Sequence, residues 1–74
     1  MYKAKNGFTL NDSKTPDGWT IKTPQDIVTA LLSFPAFETV DSGYIWEAID
    51  QAADSRKEYE NIEDFAKYLT ENYI

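Results

Sequence analysis

Carboxylates at helical spacing are the residues of this chain best suited to do chemistry. Glu47, Asp50 and Asp54 fall on one face of a helix at about 100° per residue. Such a face can be a solvated surface, a docking surface for a basic partner, or a divalent-metal site. Calcium prefers an enclosing set of about six to eight oxygens, which a single helix face does not supply. We therefore expect no metal and no cofactor at these residues.

Groups that enzymes use for catalysis are scarce in this chain. There is no histidine and no cysteine, so Ser-His-Asp and Cys-His arrangements and thiolate metal sites are excluded. No GxxxxGKS/T or GxGxxG motif is present, and three glycines cannot build a phosphate cradle. The sequence thus predicts a protein that is not an enzyme and has no catalytic residues.

Charge is distributed unevenly along the 74 residues, whose net charge is −6. Residues 1–22 contain four lysines against two aspartates, a net charge of +2, whereas residues 23–74 contain three basic and eleven acidic residues, a net charge of −8. A negative surface is repelled by phosphate backbones and attracted to proteins that hold nucleic acid. The acidic part is therefore not expected to bind nucleic acid directly.

Three helices must position these carboxylates, and we predict them near residues 24–34, 42–56 and 61–73. Thr23 can cap the first in a capping box, Asp41 or Ser42 the second, and Asn61 the third. Apolar side chains recur at helical spacing on each of them. The residues expected to turn inward are Ile27, Val28, Leu31, Leu32 and Phe34, then Ile45, Ala48, Ile49 and Ala52, then Ile62, Phe65, Ala66, Leu69 and Tyr73. Arg56 falls in line with the second stripe, where its stem could cover the core.

The first 22 residues have the alternation of short strands and the composition of turns. Phe8–Leu10 and Trp19–Ile21 each alternate apolar with polar residues, which favours a hairpin that pairs these two runs. Residues 1–5 could form a third strand. The segment between the two runs, Asn11–Gly18, is dense in turn residues and is expected to be an exposed, mobile connection.

These elements predict one small α+β domain over residues 1–74, in which a short N-terminal hairpin packs on a compact three-helix unit. Residues 1–22 are expected to form the hairpin and its turns, and residues 23–74 the three-helix unit. No apolar run reaches the roughly 18 residues of a membrane span, and residues 1–10 lack the apolar segment of a secretory signal. We therefore expect no membrane association and a cytoplasmic location.

The function expected from these observations is binding of a basic surface on another protein. The most specific version is a phage or mobile-element inhibitor, of an anti-CRISPR or DNA-mimic kind, that occludes a nucleic-acid-binding surface of a host protein; this rests on small size and negative charge, since no family motif is present. Aromatic side chains would supply anchors beside the carboxylates. The predicted binding residues are Glu47, Asp50, Asp54, Glu58, Glu60, Glu63, Asp64, Trp46 and Tyr44.

Two other functions stay open. One is a structural or assembly protein that self-associates through Tyr68, Tyr73 and Ile74, which a tight homodimer would favour. For the binding function, a monomer or a weak homodimer is expected. The other is a nucleic-acid-binding regulator that uses the lysines of the N-terminal hairpin.

Overall fold

Three helices and a small three-stranded sheet form the fold, so the predicted α+β class with mostly helical content is confirmed. The computed structural model describes residues 1–4, 7–53 and 56–73. Its elements, in chain order, are strand β1 (Tyr2–Lys3), strand β2 (Thr9–Leu10), helix α1 (Pro24–Leu32), a single 3-10 turn (Pro35–Phe37), helix α2 (Ser42–Ala53), strand β3 (Glu58–Tyr59) and helix α3 (Ile62–Asn72).

The helix starts follow the capping residues in the sequence. The Thr23 side chain accepts a hydrogen bond from the Asp26 amide at 3.1 Å, and the Asp26 carboxylate accepts from the Thr23 amide at 3.1 Å, which completes a capping box. The Asn61 side chain accepts from the Asp64 amide at 2.9 Å, and Asp41 accepts from the Gly43 amide at 3.0 Å. Each bond satisfies an amide that has no partner within its helix.

The helix ends lie earlier than predicted. Helix α1 ends at Leu32, because Pro35 disfavours helical geometry at Phe34, whose backbone is extended (φ −84°, ψ 139°). Leu32 is 40% exposed rather than turned inward. Helix α2 ends at Ala53, and the prediction that it continues to Arg56 is wrong, since Arg56 is exposed with a positive φ of 52°. Its stem therefore does not extend the core stripe.

The sheet has strand order β1-β2-β3, and this corrects the predicted hairpin. Strand β2 pairs antiparallel with β1, with Leu10 opposite Tyr2, and parallel with β3, with Leu10 opposite Tyr59. The chain turns back early, since the Ala4 amide bonds the Phe8 carbonyl at 2.9 Å. Closing this short loop costs less entropy than joining Phe8–Leu10 to a strand ten residues further on.

The run Trp19–Ile21 pairs locally instead, with the segment just before it. The Thr15 amide bonds the Trp19 carbonyl, and the Ile21 amide bonds the Ser13 carbonyl, both at 2.8 Å. Ser13 and Thr15 are buried, and the Asn11 amide bonds the Tyr59 carbonyl at 2.8 Å. The expected exposed connection is therefore a hydrogen-bonded hairpin with Gly18 (φ 95°) near its tip; most of its residues are exposed, as predicted, whereas Ser13 and Thr15 are buried.

The core joins the helices to the sheet. Most of the residues predicted to turn inward are buried, among them Ile49, Phe65 and Leu69. The exceptions are Leu32, which is exposed, and Phe34 and Tyr73, which are half-buried. Phe8 is fully buried, with its ring stacked on Phe65 at 4.4 Å between centroids and edge-on to Tyr59 at 6.0 Å. The three helices thus share their core with the N-terminal strands. No helix within residues 1–4, 7–53 and 56–73 has the length and apolar character to cross a membrane.

Candidate protein-binding face

The predicted carboxylates are exposed wherever the structure describes them. They are Glu47 and Asp50 on α2, Glu58 and Glu60 beside β3, and Glu63 and Asp64 in the first turn of α3. Asp54 lies outside the described residues. Solvent reaches these groups, so they are available to a partner, and they fall into two sets that have different structural settings.

The carboxylates around β3 and the start of α3 form one of these sets, and their positions have a structural explanation. Glu58 and Glu60 flank the buried Tyr59, because side chains alternate between the two sides of a strand. Glu63 and Asp64 lie at the positive end of the α3 dipole, where carboxylates stabilise a helix. We call residues Glu58, Glu60, Glu63 and Asp64 the strand–helix acids.

The carboxylates of α2 lie beside aromatic side chains. Glu47 borders a shallow cleft of about 70 Å³ together with Tyr44 and Tyr73. The Tyr44 hydroxyl donates a hydrogen bond to the Tyr73 carbonyl, which holds the start of α2 against the end of α3. The Tyr44 side chain is nevertheless 49% exposed, so its ring remains open to a partner.

Asp50 borders a different and larger cleft, of about 130 Å³, which we call the Trp46 cleft. Trp46, from α2, and Tyr2, from β1, are both half-buried there, and Asp50 is exposed at its edge. The base of the cleft consists of the buried apolar side chains of Phe8, Ile27 and Ile49. Ala4 and Pro24 complete the lining of the cleft. Trp46 is thus both packed against the core and accessible beside a carboxylate.

Electrostatics also connect the Trp46 cleft to α1. Burial raises the pKa of the Tyr2 phenol above its usual value, and the negative charge of Asp26 raises it further. Asp26 is held in place by the amides of Lys22 and Thr23, at 2.9 and 3.1 Å. The Tyr2 hydroxyl is therefore kept neutral, close to a fixed carboxylate.

The structure separates the two predicted anchors. Tyr44 and Trp46 are two residues apart on α2, which corresponds to nearly opposite sides of the helix. Each has one acidic neighbour, Glu47 for Tyr44 and Asp50 for Trp46. Tyr2 was not among the predicted binding residues. The Asn6-Gly7 turn dipeptide between Tyr2 and Phe8 is the signal in the sequence that could have brought these two rings together.

The tyrosines proposed for self-association are partly covered within the chain. Tyr68 is half-buried, with its ring centroid 5.5 Å from that of Tyr59 and 5.9 Å from that of Tyr73. The Lys57 ammonium lies 4.6 Å from the centroid of the Tyr68 ring, within cation–π range. Ile74 lies outside the described residues.

The basic residues of the N-terminal part are dispersed along it. Lys3 lies on β1, Lys14 takes part in the local bridge to Thr20, and Lys22 precedes the N-cap residue of α1, Thr23. All three are exposed, and Lys5 lies outside the described residues. Nucleic-acid binding through these lysines stays a prediction.

Metal ligation and family membership add no further assignment. The described part of the chain contains no group of three or more acidic, histidine or cysteine residues that could hold a metal ion. Comparison with protein-family models, with curated proteins and with solved structures finds no match to this chain. A functional proposal therefore rests on the geometry of the outer face of α2, which we define by Tyr44, Trp46, Glu47 and Asp50 and call the α2 face.

Proposed function

We propose that this protein is a non-enzymatic binding module that docks the outer face of α2 on a basic surface of another protein. The observation that carries the proposal is the placement of an accessible aromatic ring beside each α2 carboxylate, Tyr44 with Glu47 and Trp46 with Asp50. Carboxylates steer a basic partner and raise the association rate. Tyrosine and tryptophan are enriched among the residues that contribute most binding energy.

The mechanism is occlusion. Glu47 and Asp50 take the place of phosphates opposite lysine and arginine side chains. Asp54, which the sequence groups with them, lies outside the described residues. The strand–helix acids extend the negative potential that a basic surface encounters. The most specific version of this proposal is a cytoplasmic inhibitor, of phage or mobile-element origin, that covers the nucleic-acid-binding surface of a host protein.

Affinity capture from a host lysate, followed by kinetic measurement on the captured protein, tests the proposal. The double variant Glu47→Lys/Asp50→Lys should slow association by about tenfold or more and weaken its salt dependence, since it reverses two steering charges. Glu38→Lys/Glu71→Lys is the matched control, because it makes the same change in net charge at two exposed residues outside the candidate face.

The control variant should associate at close to the wild-type rate. Equal slowing by both double variants would mean that net charge alone governs binding and that α2 is not the docking face. Unchanged association in both would exclude an electrostatic docking role for these carboxylates altogether.

A further inference from the structure

We propose that the Trp46 cleft is a receptor for one arginine side chain of the partner, whose guanidinium stacks against Trp46 and pairs with Asp50. This inference deepens the proposed function and rests on it, because it assigns the chemical group that the α2 face recognises. It assigns one site of contact where the proposed function requires only a general attraction between charged surfaces.

The walls of the cleft have the chemistry that binds an organic cation. Trp46 and Tyr2 present partly exposed aromatic surface, with Phe8 beneath them, and the Tyr2 and Phe8 ring centroids are 6.3 Å apart and tilted by 45°. The faces of aromatic rings carry negative potential, and tryptophan is the best of them at attracting a cation. A cation entering the cleft therefore meets π-electron density from strand β1 and from helix α2.

A carboxylate makes the cleft negative as well as aromatic. Asp50 stands exposed at its edge. Asp26 does not line the cleft, but it is fixed by two backbone hydrogen bonds, and its charge acts on the phenol of Tyr2, which does line it. This charge complementarity distinguishes a cationic occupant from a purely apolar side chain, which would gain nothing from Asp50.

The size of the cleft favours a single side chain. Its volume of about 130 Å³ is well below the roughly 300–1,000 Å³ of sites that enclose small-molecule ligands. Among side-chain cations, the planar guanidinium stacks on aromatic faces and can pair with a carboxylate through two parallel hydrogen bonds. The lysine ammonium is more strongly hydrated and has no flat face, so it fits the Trp46–Asp50 pair less well.

The test is a titration of the isotope-labelled protein with the peptide acetyl-Gly-Arg-Gly-amide, followed through the two tryptophan indole N–H signals. The Trp46 signal should shift, whereas that of Trp19, which does not line the cleft, should stay in place. The matching lysine peptide should bind several-fold more weakly. The citrulline peptide, a neutral analogue of the arginine peptide, should leave the Trp46 signal unmoved.

Two variants of equal charge locate the site. Asp50→Asn should weaken arginine-peptide binding by about fivefold or more, since it removes a charge-assisted hydrogen bond. Glu47→Gln removes one charge from the same helix but borders the other cleft, so it should weaken binding by less than about twofold. Equal losses in the two variants, equal shifts with citrulline, or equal binding of lysine and arginine would each overturn the assignment.

The peptide titration tests the arginine receptor, and the association kinetics test the docking role, so either proposal can fail without the other. If partner capture depends on Glu47 and Asp50 but no arginine peptide shifts Trp46, the arginine receptor is wrong and the docking face stands. If the peptide binds at Trp46 while partner association ignores both charge reversals, the receptor is supported and the proposed docking role fails.

Discussion

Tyr2 is the residue whose protonation is most closely tied to the candidate face. It contributes a wall of the Trp46 cleft, and burial, with a smaller effect of Asp26, raises the pKa of its phenol above 10.0. The folded protein therefore holds the phenol proton more tightly than the unfolded chain does. The resulting stabilisation is complete below about pH 10 and is lost as the pH rises through the pKa of the folded state.

We therefore expect the free energy of unfolding to decline more steeply above pH 10 in the wild type than in Tyr2→Phe. Urea unfolding followed by circular dichroism at about pH 9 and about pH 11 measures both proteins, and the other tyrosines are common to the two. The difference between the two declines isolates Tyr2. Parallel declines would show that the Tyr2 phenol does not differ between the folded and unfolded states.

For single residues, the sequence predicted which side chains are accessible aromatic or acidic groups better than it predicted which side chains lie next to each other. The sequence predicts Trp46 as a binding anchor, and the structure shows its side chain packed against the core and half-exposed at the cleft. Its nearness to Tyr2 could not be predicted, because it depends on the pairing of Tyr2 with Leu10 and on the tertiary packing that brings Tyr2 and Trp46 to one cleft. The spacing of Trp46 and Asp50 on one helix can be read from the sequence, whereas the position of the Tyr2 ring cannot.

Helix α1 depends on its first turn. The capping box between Thr23 and Asp26 satisfies two amides at the point where the chain enters the helix. Thr23→Ala should lower the free energy of unfolding by about 1 kcal/mol, measured by urea unfolding, because the Asp26 amide loses its acceptor.

Thr29→Ala is the matched control within the same helix. Thr29 is exposed; its hydroxyl donates to the Gln25 carbonyl, one turn earlier, and accepts a long hydrogen bond of 3.4 Å from the Gln25 side-chain amide. Alanine has the higher helix propensity, so this variant should be unchanged or more stable by up to about 0.6 kcal/mol. Equal losses in the two variants would show that the cap contributes nothing beyond an ordinary surface hydroxyl.

The helices could be predicted because their sequence signals are local. Strand β3 could not be predicted, because its pairing is with a distant part of the chain. Caps and apolar rows lie within a few residues of each other, so Thr23, Asn61 and the row from Ile62 to Leu69 sufficed for α1 and α3. Strand β3 has only two residues, and its partner Leu10 lies 49 positions earlier in the chain. A strand that short has no period to detect.

Considered as a whole, the molecule has one core that both ends of the chain supply. Phe8 packs on Phe65 and Tyr59, so residues 23–74 do not enclose their own apolar surface. A domain of this length is stabilised by only about 4–11 kcal/mol. The predicted three-helix unit is confirmed, but it shares its core with the N-terminal strands.

Phe8→Ala should lower the free energy of unfolding by about 3–5 kcal/mol, because it leaves a cavity in the centre of the aromatic cluster. Helical circular dichroism and tryptophan fluorescence should report one shared transition, as expected for a single cooperative unit. Phe34→Ala, at a half-buried ring, should cost about 1–2 kcal/mol. Helical signal that persists in Phe8→Ala after the fluorescence transition would show that the three helices stand alone.

The parallel pairing of β2 with β3 has a consequence for the newly made chain. While the polypeptide is being synthesised, Leu10 leaves the ribosome long before Tyr59, so one side of its strand has no β3 partner until Glu58 and Tyr59 have emerged. The three-stranded sheet cannot close before that point. A truncated translation product that stops before residue 58 would therefore carry an open strand edge, which is the kind of surface that chaperones and proteases recognise.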